Sequence, residues 1–168
     1  LYTGGTNLPT KEEVLRKYAI MDSILKAPVP KNQTRSGDPE QDCSGAIYVC
    51  DQSYSQSESY VGYGSVQEVY NTCLQMQERR SVWYVFTVQT GGTFGFELET
   101  PNDYDWALYD ITSIGCSGVP NGTPDRCNYS GTYGDTGLDA DNVSATIPLS
   151  VNTSGSPIMP GLNVTEGT

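Results

Sequence analysis

Histidine is absent from the 168 residues. With it go Ser-His-Asp and Cys-His nucleophilic arrangements, His-ligated zinc and most general-base chemistry near neutral pH. No apolar run approaches the roughly 18 residues of a membrane-spanning helix. The glycine-rich stretches hold neither a P-loop nor G-x-G-x-x-G, so nucleotide binding has no support. Basic residues are scarce: 9 Lys and Arg stand against 20 Asp and Glu, for a net charge of −11 and a pI near 4.2. Phosphate backbones repel such a chain, which argues against a nucleic-acid partner. Charged residues reach only 17%, a poor basis for a helical bundle or coiled coil. The first residue is Leu1 rather than Met, which reads as a processed mature form or a segment of a longer protein.

What is present points to strands and turns. There are 18 glycines, 10 prolines and 12 tyrosines, a profile of all-β extracellular domains. The length fits one domain plus an appendage. Cys43, Cys50, Cys73, Cys116 and Cys127 contain no C-x-x-C pair, so they read as disulfides formed in an oxidising, extracellular compartment. Cys116 and Cys127 bracket a short loop and form the first expected pair. Cys50 with Cys73 is the second, leaving Cys43 over. A catalytic thiol would lack a base to lower its pKa.

Residues 1–27 form an N-terminal segment. Thr10 and Glu13 make a capping box, and Val14, Tyr18, Met21 and Leu25 line one face, which predicts an amphipathic helix over 10–26. Pro28 and Pro30 end it. Residues 28–42 read as a polar linker. From 43 to 168 the pattern predicts a disulfide-tied β-sandwich, jelly-roll-like, of about seven or eight short strands. Strands are expected at Ala46–Cys50, Ser81–Gln89, Thr93–Thr100, Trp106–Ile111, Ser144–Val151 and Leu162–Val164. The second has two apolar faces, as a central strand would, and Gly91-Gly92 should turn it as a hairpin into the third. Residues 112–142 read as long loops. The end, Leu162–Thr168, leads toward one further strand; without it a sandwich has an unpaired edge.

Three segments carry a resemblance: Cys43–Cys50 (CSGAIYVC), Ser81–Val88 (SVWYVFTV) and Asn102–Asp110 (NDYDWALYD). In that order they resemble a β-sandwich module of large secreted or surface proteins of Bacteroidota, proteins that often end in gliding-motility-associated or type IX secretion sorting domains. Cys127–Ser130 and Thr136–Leu138 fit the same pattern. The middle part is similar, more loosely, to bacterial pre-peptidase C-terminal domains. The resemblance covers about 43–168 and implies a secreted sandwich with an accessory role. In that family a further strand follows the segment matching Val164–Thr168. The helix over 10–26 lies outside the match.

Some constellations could carry chemistry. Asp103, Asp105, Asp135, Asp139 and Asp141 lie on acidic loops and are candidate Ca²⁺ ligands, with Asx-turns the competing reading. Glu97 and Glu99 share one strand face opposite Phe96 and Leu98, which makes that face solvent rather than a glycosidase pair. Tyr54, Tyr60, Tyr63 and Tyr133 fall in loops, where exposed rings would stack on glycans or anchor a protein interface; Trp83, Tyr84, Phe86 and Trp106 belong to the core. N-x-[ST] triplets begin at Asn32, Asn121, Asn128, Asn142, Asn152 and Asn163, glycan acceptors in a eukaryotic setting and chance occurrences in a bacterial one. Asp22-Ser23-Ile24 resembles a Bacteroidota O-glycosylation acceptor. The expected function is a non-catalytic structural or adhesive module at the cell surface, contacting other surface-protein domains, identical subunits or glycans. Two alternatives are a filament subunit completed by a neighbour's strand and a carbohydrate-binding accessory of a secreted hydrolase.

Overall fold

The computed structural model describes residues 37–58, 60–70, 72–74, 78–143, 150–151 and 154–168, all within the unit Thr34–Thr168. The helix expected over 10–26 and the first part of the linker lie outside them. Described are β1 (Ile47–Tyr48), β2 (Tyr84–Val85), β3 (Gly92–Phe94), β4 (Phe96–Leu98), β5 (Trp106–Leu108), β6 (Arg126–Asn128), β7 (Thr136–Val143), β8 (Ser150–Val151) and β9 (Ile158–Val164). Among the described residues helix is confined to short turns, one of them α1 (Gly115–Gly118). Strand thus prevails over helix, as the turn-rich composition implied.

β1 and β2 pair in parallel; β3, β9, β7 and β4 form a four-stranded sheet in that order; β5, β6 and β8 form a third sheet. The core joins the second and third sheets. Trp106 of β5, Leu138 of β7 and Met159 of β9 are buried together. Phe94, Phe96, Leu98, Leu108 and Leu162 pack around them, half-buried. A ladder of rings runs along this layer, from Phe86 on Phe94 (4.8 Å) through Phe96 (6.1 Å) to Trp106 (5.0 Å, edge-on). Such offset and edge-to-face pairs add to the area they bury. The Trp106 indole N–H is satisfied by Thr136 Oγ1 at 2.9 Å, so the ring can sit in the core without an orphaned donor.

Several expected elements are displaced. The third expected strand is broken into β3 and β4 at Gly95, where a Cβ would stand 2.5 Å from the Leu138 carbonyl oxygen; only glycine allows that approach. Gly91-Gly92 does not make a hairpin with β2. β3 pairs instead with β9, Thr93 opposite Asn163, while β2 takes β1 as partner, Tyr84 opposite Ile47. β2 is therefore one strand of a two-stranded ribbon rather than a central strand. The stretch 112–142 is not all loop: it holds β6 and the eight-residue β7, which lies inside the four-stranded sheet. Of Ser144–Val151, residues 144–149 lie outside the described residues and Ser150–Val151 is β8. The last expected strand extends back to Ile158 and runs between β3 and β7.

The disulfides differ from both expected pairs. Cys43 is bonded to Cys116 and Cys73 to Cys127, with Cα–Cα distances of 5.5 and 5.9 Å, and Cys50 is free and exposed. Shortness of the Cys116–Cys127 loop was a poor guide. β6 carries Cys127 into the interior, 1% exposed, whereas Cys116 sits in α1. The bridges close separations of 73 and 54 residues; the second ties the strand-poor stretch 49–83 to β6 through Cys73. Residues 39–41 of the expected linker form a 3-10 turn with Gln41 fully buried.

Candidate binding surface

Alternation along β2 sends neighbouring side chains to opposite sides. Trp83 lies against Tyr109, ring centroids 6.0 Å apart, while Phe86 reaches Phe94. Tyr84, between them, is 38% exposed, which corrects its assignment to the core. Tyr54, 52% exposed, meets it edge-to-face at 5.7 Å. Tyr104, 53% exposed, comes near enough that its charge, like that of Tyr54, would raise the Tyr84 phenol, already raised by burial.

Tyr84 is held from behind by a relay. The Tyr84 hydroxyl donates to Gln56 Oε1, Gln56 Nε2 donates to Tyr60 Oη, and the Tyr60 hydroxyl donates to Glu40 Oε1 at 2.9 Å. Tyr60 is 9% exposed, and its phenol is pushed up to about 12 by burial, the Glu40 bond and the Glu40 charge. Of the four loop tyrosines singled out from the sequence, Tyr54 lies on this surface and Tyr60 lies beneath it as a support. Tyr63 is half-buried and Tyr133 exposed. Tyr84, Tyr104, Gln56 and Glu40 complete the arrangement; exposed rings alone marked the region, and nothing local in the sequence pairs Gln56 with Tyr84.

Asp103 and Asp105 flank Tyr104. Burial, then the Asp103 charge, pushes Asp105 up to about 7, and burial raises Asp103, whose Oδ1 is enclosed without a hydrogen-bond partner. Burial, then the Asp105 and Asp103 charges, raises the Tyr129 phenol against the opposing pull of Arg79. Asp135 accepts from the Thr100 amide (3.0 Å) and Asp139 from the Asp141 amide (3.0 Å), the latter an Asx-turn geometry. Among the described residues no three acidic or cysteine side chains converge as metal ligands. Glu97 is exposed while Phe96 and Leu98 pack inward, as the alternation implied. Asn128, the third sequon, is 1% exposed, with its amide donating to the Ser156 and Pro157 carbonyls at 3.0 Å each; its role in this structure is a buried clasp.

Below the surface lies a belt of buried carboxylates. Asp42 accepts from the Ser65 and Val66 amides, both at 2.9 Å. Glu68 accepts from the Cys43 amide (2.7 Å); Glu78 accepts from the Glu68 amide (2.8 Å) and the Trp83 indole (3.1 Å). Tyr109 adjoins the belt: burial and the charges of Glu78 and Glu68 push its phenol up to about 12. No family model, curated protein or solved structure matches the chain.

Proposed function

We propose that this chain is a non-catalytic extracellular module, structural and adhesive, that makes its contacts through the face of Tyr54, Tyr84 and Tyr104. The observation that carries the reading is that Tyr84 is exposed and yet fixed by the Tyr84–Gln56–Tyr60–Glu40 relay, with the exposed Tyr54 ring packed edge-to-face on it. Pre-positioned aromatic side chains lose little entropy when a ligand covers them. A β-sandwich of jelly-roll type is the architecture we assign, supported by a core that draws Trp106 from one sheet and Leu138 and Met159 from another. The disulfides Cys43–Cys116 and Cys73–Cys127 fit an oxidising compartment. The resemblance to surface modules of Bacteroidota supports placement in a cell-surface protein; each of its three main segments contributes one strand, β1, β2 and β5. The absence of histidine supports a non-catalytic role.

The test is retention of labelled protein on bacterial cells and on immobilised glycans and proteins, comparing the wild type with Tyr54→Ala and Tyr104→Ala. Both positions are exposed, so folding tolerates the changes. Retention that falls in both variants supports the reading; retention equal to wild type, or none on any surface, sinks it. A second reading, a filament subunit completed by strand addition, is supported by one observation. Among the described residues no strand pairs with the outer edges of β3 and β4. Sedimentation of the native protein separates a monomer from a concentration-dependent polymer.

A further inference from the structure

We infer that the outer edge of β2 takes an added strand: an extended segment of a separate polypeptide, antiparallel to β2 and apolar at alternate positions. The backbone of β2, not the face of its ring, makes this site, which goes beyond the adhesive reading. β9 leads into a turn over Thr165–Thr168, closed by the Thr168 amide on the Thr165 carbonyl at 3.2 Å, with Gly167 third at φ 83°. That is a type II turn, whose third residue needs positive φ. The Gly167 amide donates to the Val88 carbonyl, and the Val88 amide donates to the Thr168 carbonyl, both at 2.9 Å. Two residues thus oppose one, glycine first, which is a bulge after which strand pairing can resume. Val88 opposite Thr168 also keeps the register in which Gly92 meets Val164 and Thr93 meets Asn163.

The edge that Val88 offers runs back along β2. Backbone groups point to alternate edges along a strand. The odd-numbered residues face β1: the Trp83 and Val85 carbonyls accept from the Ile47 and Val49 amides, and the Trp83 amide donates to the Glu40 carbonyl. The even-numbered residues therefore face the other way, onto the line where Thr168 lies. There the Phe86 amide and carbonyl have no backbone partner among the described residues, and no described strand flanks β2 on that side. Such an edge is a template for pairing. A strand extending the ladder in register would pass opposite Phe86 and then Tyr84. Cross-strand neighbours stand about 5 Å apart at Cβ. They would meet Phe86, stacked on Phe94 at 4.8 Å, and the Tyr84–Tyr54 ring pair, so apolar residues suit both positions. The open edge is short. Thr168 bounds it at one end, and Arg80, at φ 52°, turns the chain at the other. A single peptide fits that slot better than the broad edge of a second copy.

The experiment follows amide exchange in the full chain by NMR, with and without an end-blocked peptide of alternating valine and threonine, about six residues long, a usual strand length. In the free protein the Phe86 amide should exchange fast and the Val88 amide, held by Thr168, slowly. Millimolar peptide should slow Phe86 and Tyr84 by roughly ten-fold or more. Valines opposite Phe86 and Tyr84 turn their own amides toward β2. Methylating the valine nitrogens should therefore abolish the effect, and methylating the threonine nitrogens, on the outer edge, should preserve it. Equal effects of the two methylated peptides would mean apolar association without strand pairing and would overturn the inference. Unchanged exchange at Phe86, or slowing confined to β3 and β4, would overturn it as well. Protection of Phe86 that rises with protein concentration alone, together with a dimer in sedimentation, would give the edge to a second copy and sink the peptide assignment. The adhesive reading is separate, since it stands or falls on the Tyr54 and Tyr104 variants.

Discussion

Glu68 offers the sharpest test of the carboxylate belt. It is 5% exposed and accepts a hydrogen bond from the Cys43 amide at 2.7 Å. Burial pushes its carboxyl from 4.5 up to about 7; the Cys43 bond pulls the other way, and the charges of Glu78 and Asp42 add to the rise. The folded protein therefore holds this proton more tightly than the unfolded chain. Its contribution to stability is full below about 4.5 and is lost as pH rises through about 7. Each unit of pKa corresponds to about 1.4 kcal/mol, so the swing is on the order of 3 kcal/mol. Glu68→Gln keeps an oxygen acceptor for Cys43 and cannot ionise. Urea unfolding followed by tryptophan fluorescence, at several values between about pH 4 and 8.5, reads the difference between variant and wild type. The variant should match the wild type to within about 1 kcal/mol at the acid end and exceed it by about 3 kcal/mol at the alkaline end. A difference that does not change with pH would refute the argument, and so would a variant that is weaker at alkaline pH.

Digestion without reduction should yield Cys43–Cys116 and Cys73–Cys127 peptides, with Cys50 the thiol alkylated in the native protein; a Cys116–Cys127 peptide would overturn the connectivity. Given the separations of 73 and 54 residues, replacing either pair by serines should cost about 4 kcal/mol of unfolding free energy on loop-closure grounds. Met159→Ala empties a site 1% exposed beside Trp106 and Leu138 and should cost about 2–5 kcal/mol, measured by the same urea titration; a cost below about 1 kcal/mol would mean that the two sheets do not share this core. Chelation with EDTA should leave the thermal midpoint unchanged, since Asp103, Asp105 and Asp135, and Asp139 and Asp141, which lie on β7 rather than in a loop, do not gather into a ligand set among the described residues. A fall on chelation, reversed by Ca²⁺, would show that calcium ties these loops.

The strand segments that alternate apolar and polar residues were legible in the sequence. Phe94, Phe96 and Leu98 face the core and Glu97 faces solvent, as side-chain period alone requires. β7 was not legible because Thr136–Val143 (TGLDADNV) is rich in residues depleted from strands. Its place is fixed by partners on both sides, β4 and β9, rather than by its own propensity. The disulfides were legible as a class and wrong as pairs, because connectivity depends on which strands meet, and β6 was hidden in the same low-propensity stretch. On the candidate site the sequence marked an excess of exposed tyrosine and picked Tyr54. It could not show that Tyr60 turns inward to Glu40 or that Tyr84 turns outward, since both depend on Gln56 arriving from a loop.

The stretch between β1 and β2 explains why rings on a loop can be a fixed surface. Apart from the backbone bonds of Val49 and Trp83 at the ends of the β1–β2 pair, the described residues of 49–83 form no strand ladder, so their buried amides need other acceptors. Carboxylates supply them: Asp42 takes the Ser65 and Val66 amides, and Glu78 takes the Glu68 amide. Gly64 allows the first of these, since a Cβ there would stand 2.0 Å from Asp42 Oδ1. Buried carboxylates are costly in themselves, and Glu68 meets that cost by holding its proton to about pH 7. The same device reaches the surface, where the Glu40 carboxylate anchors Tyr60 and, through Gln56, Tyr84. Anchoring by carboxylates thus holds the segment in place where strand pairing does not, and through Glu40, Tyr60 and Gln56 it fixes the Tyr84 ring at the surface.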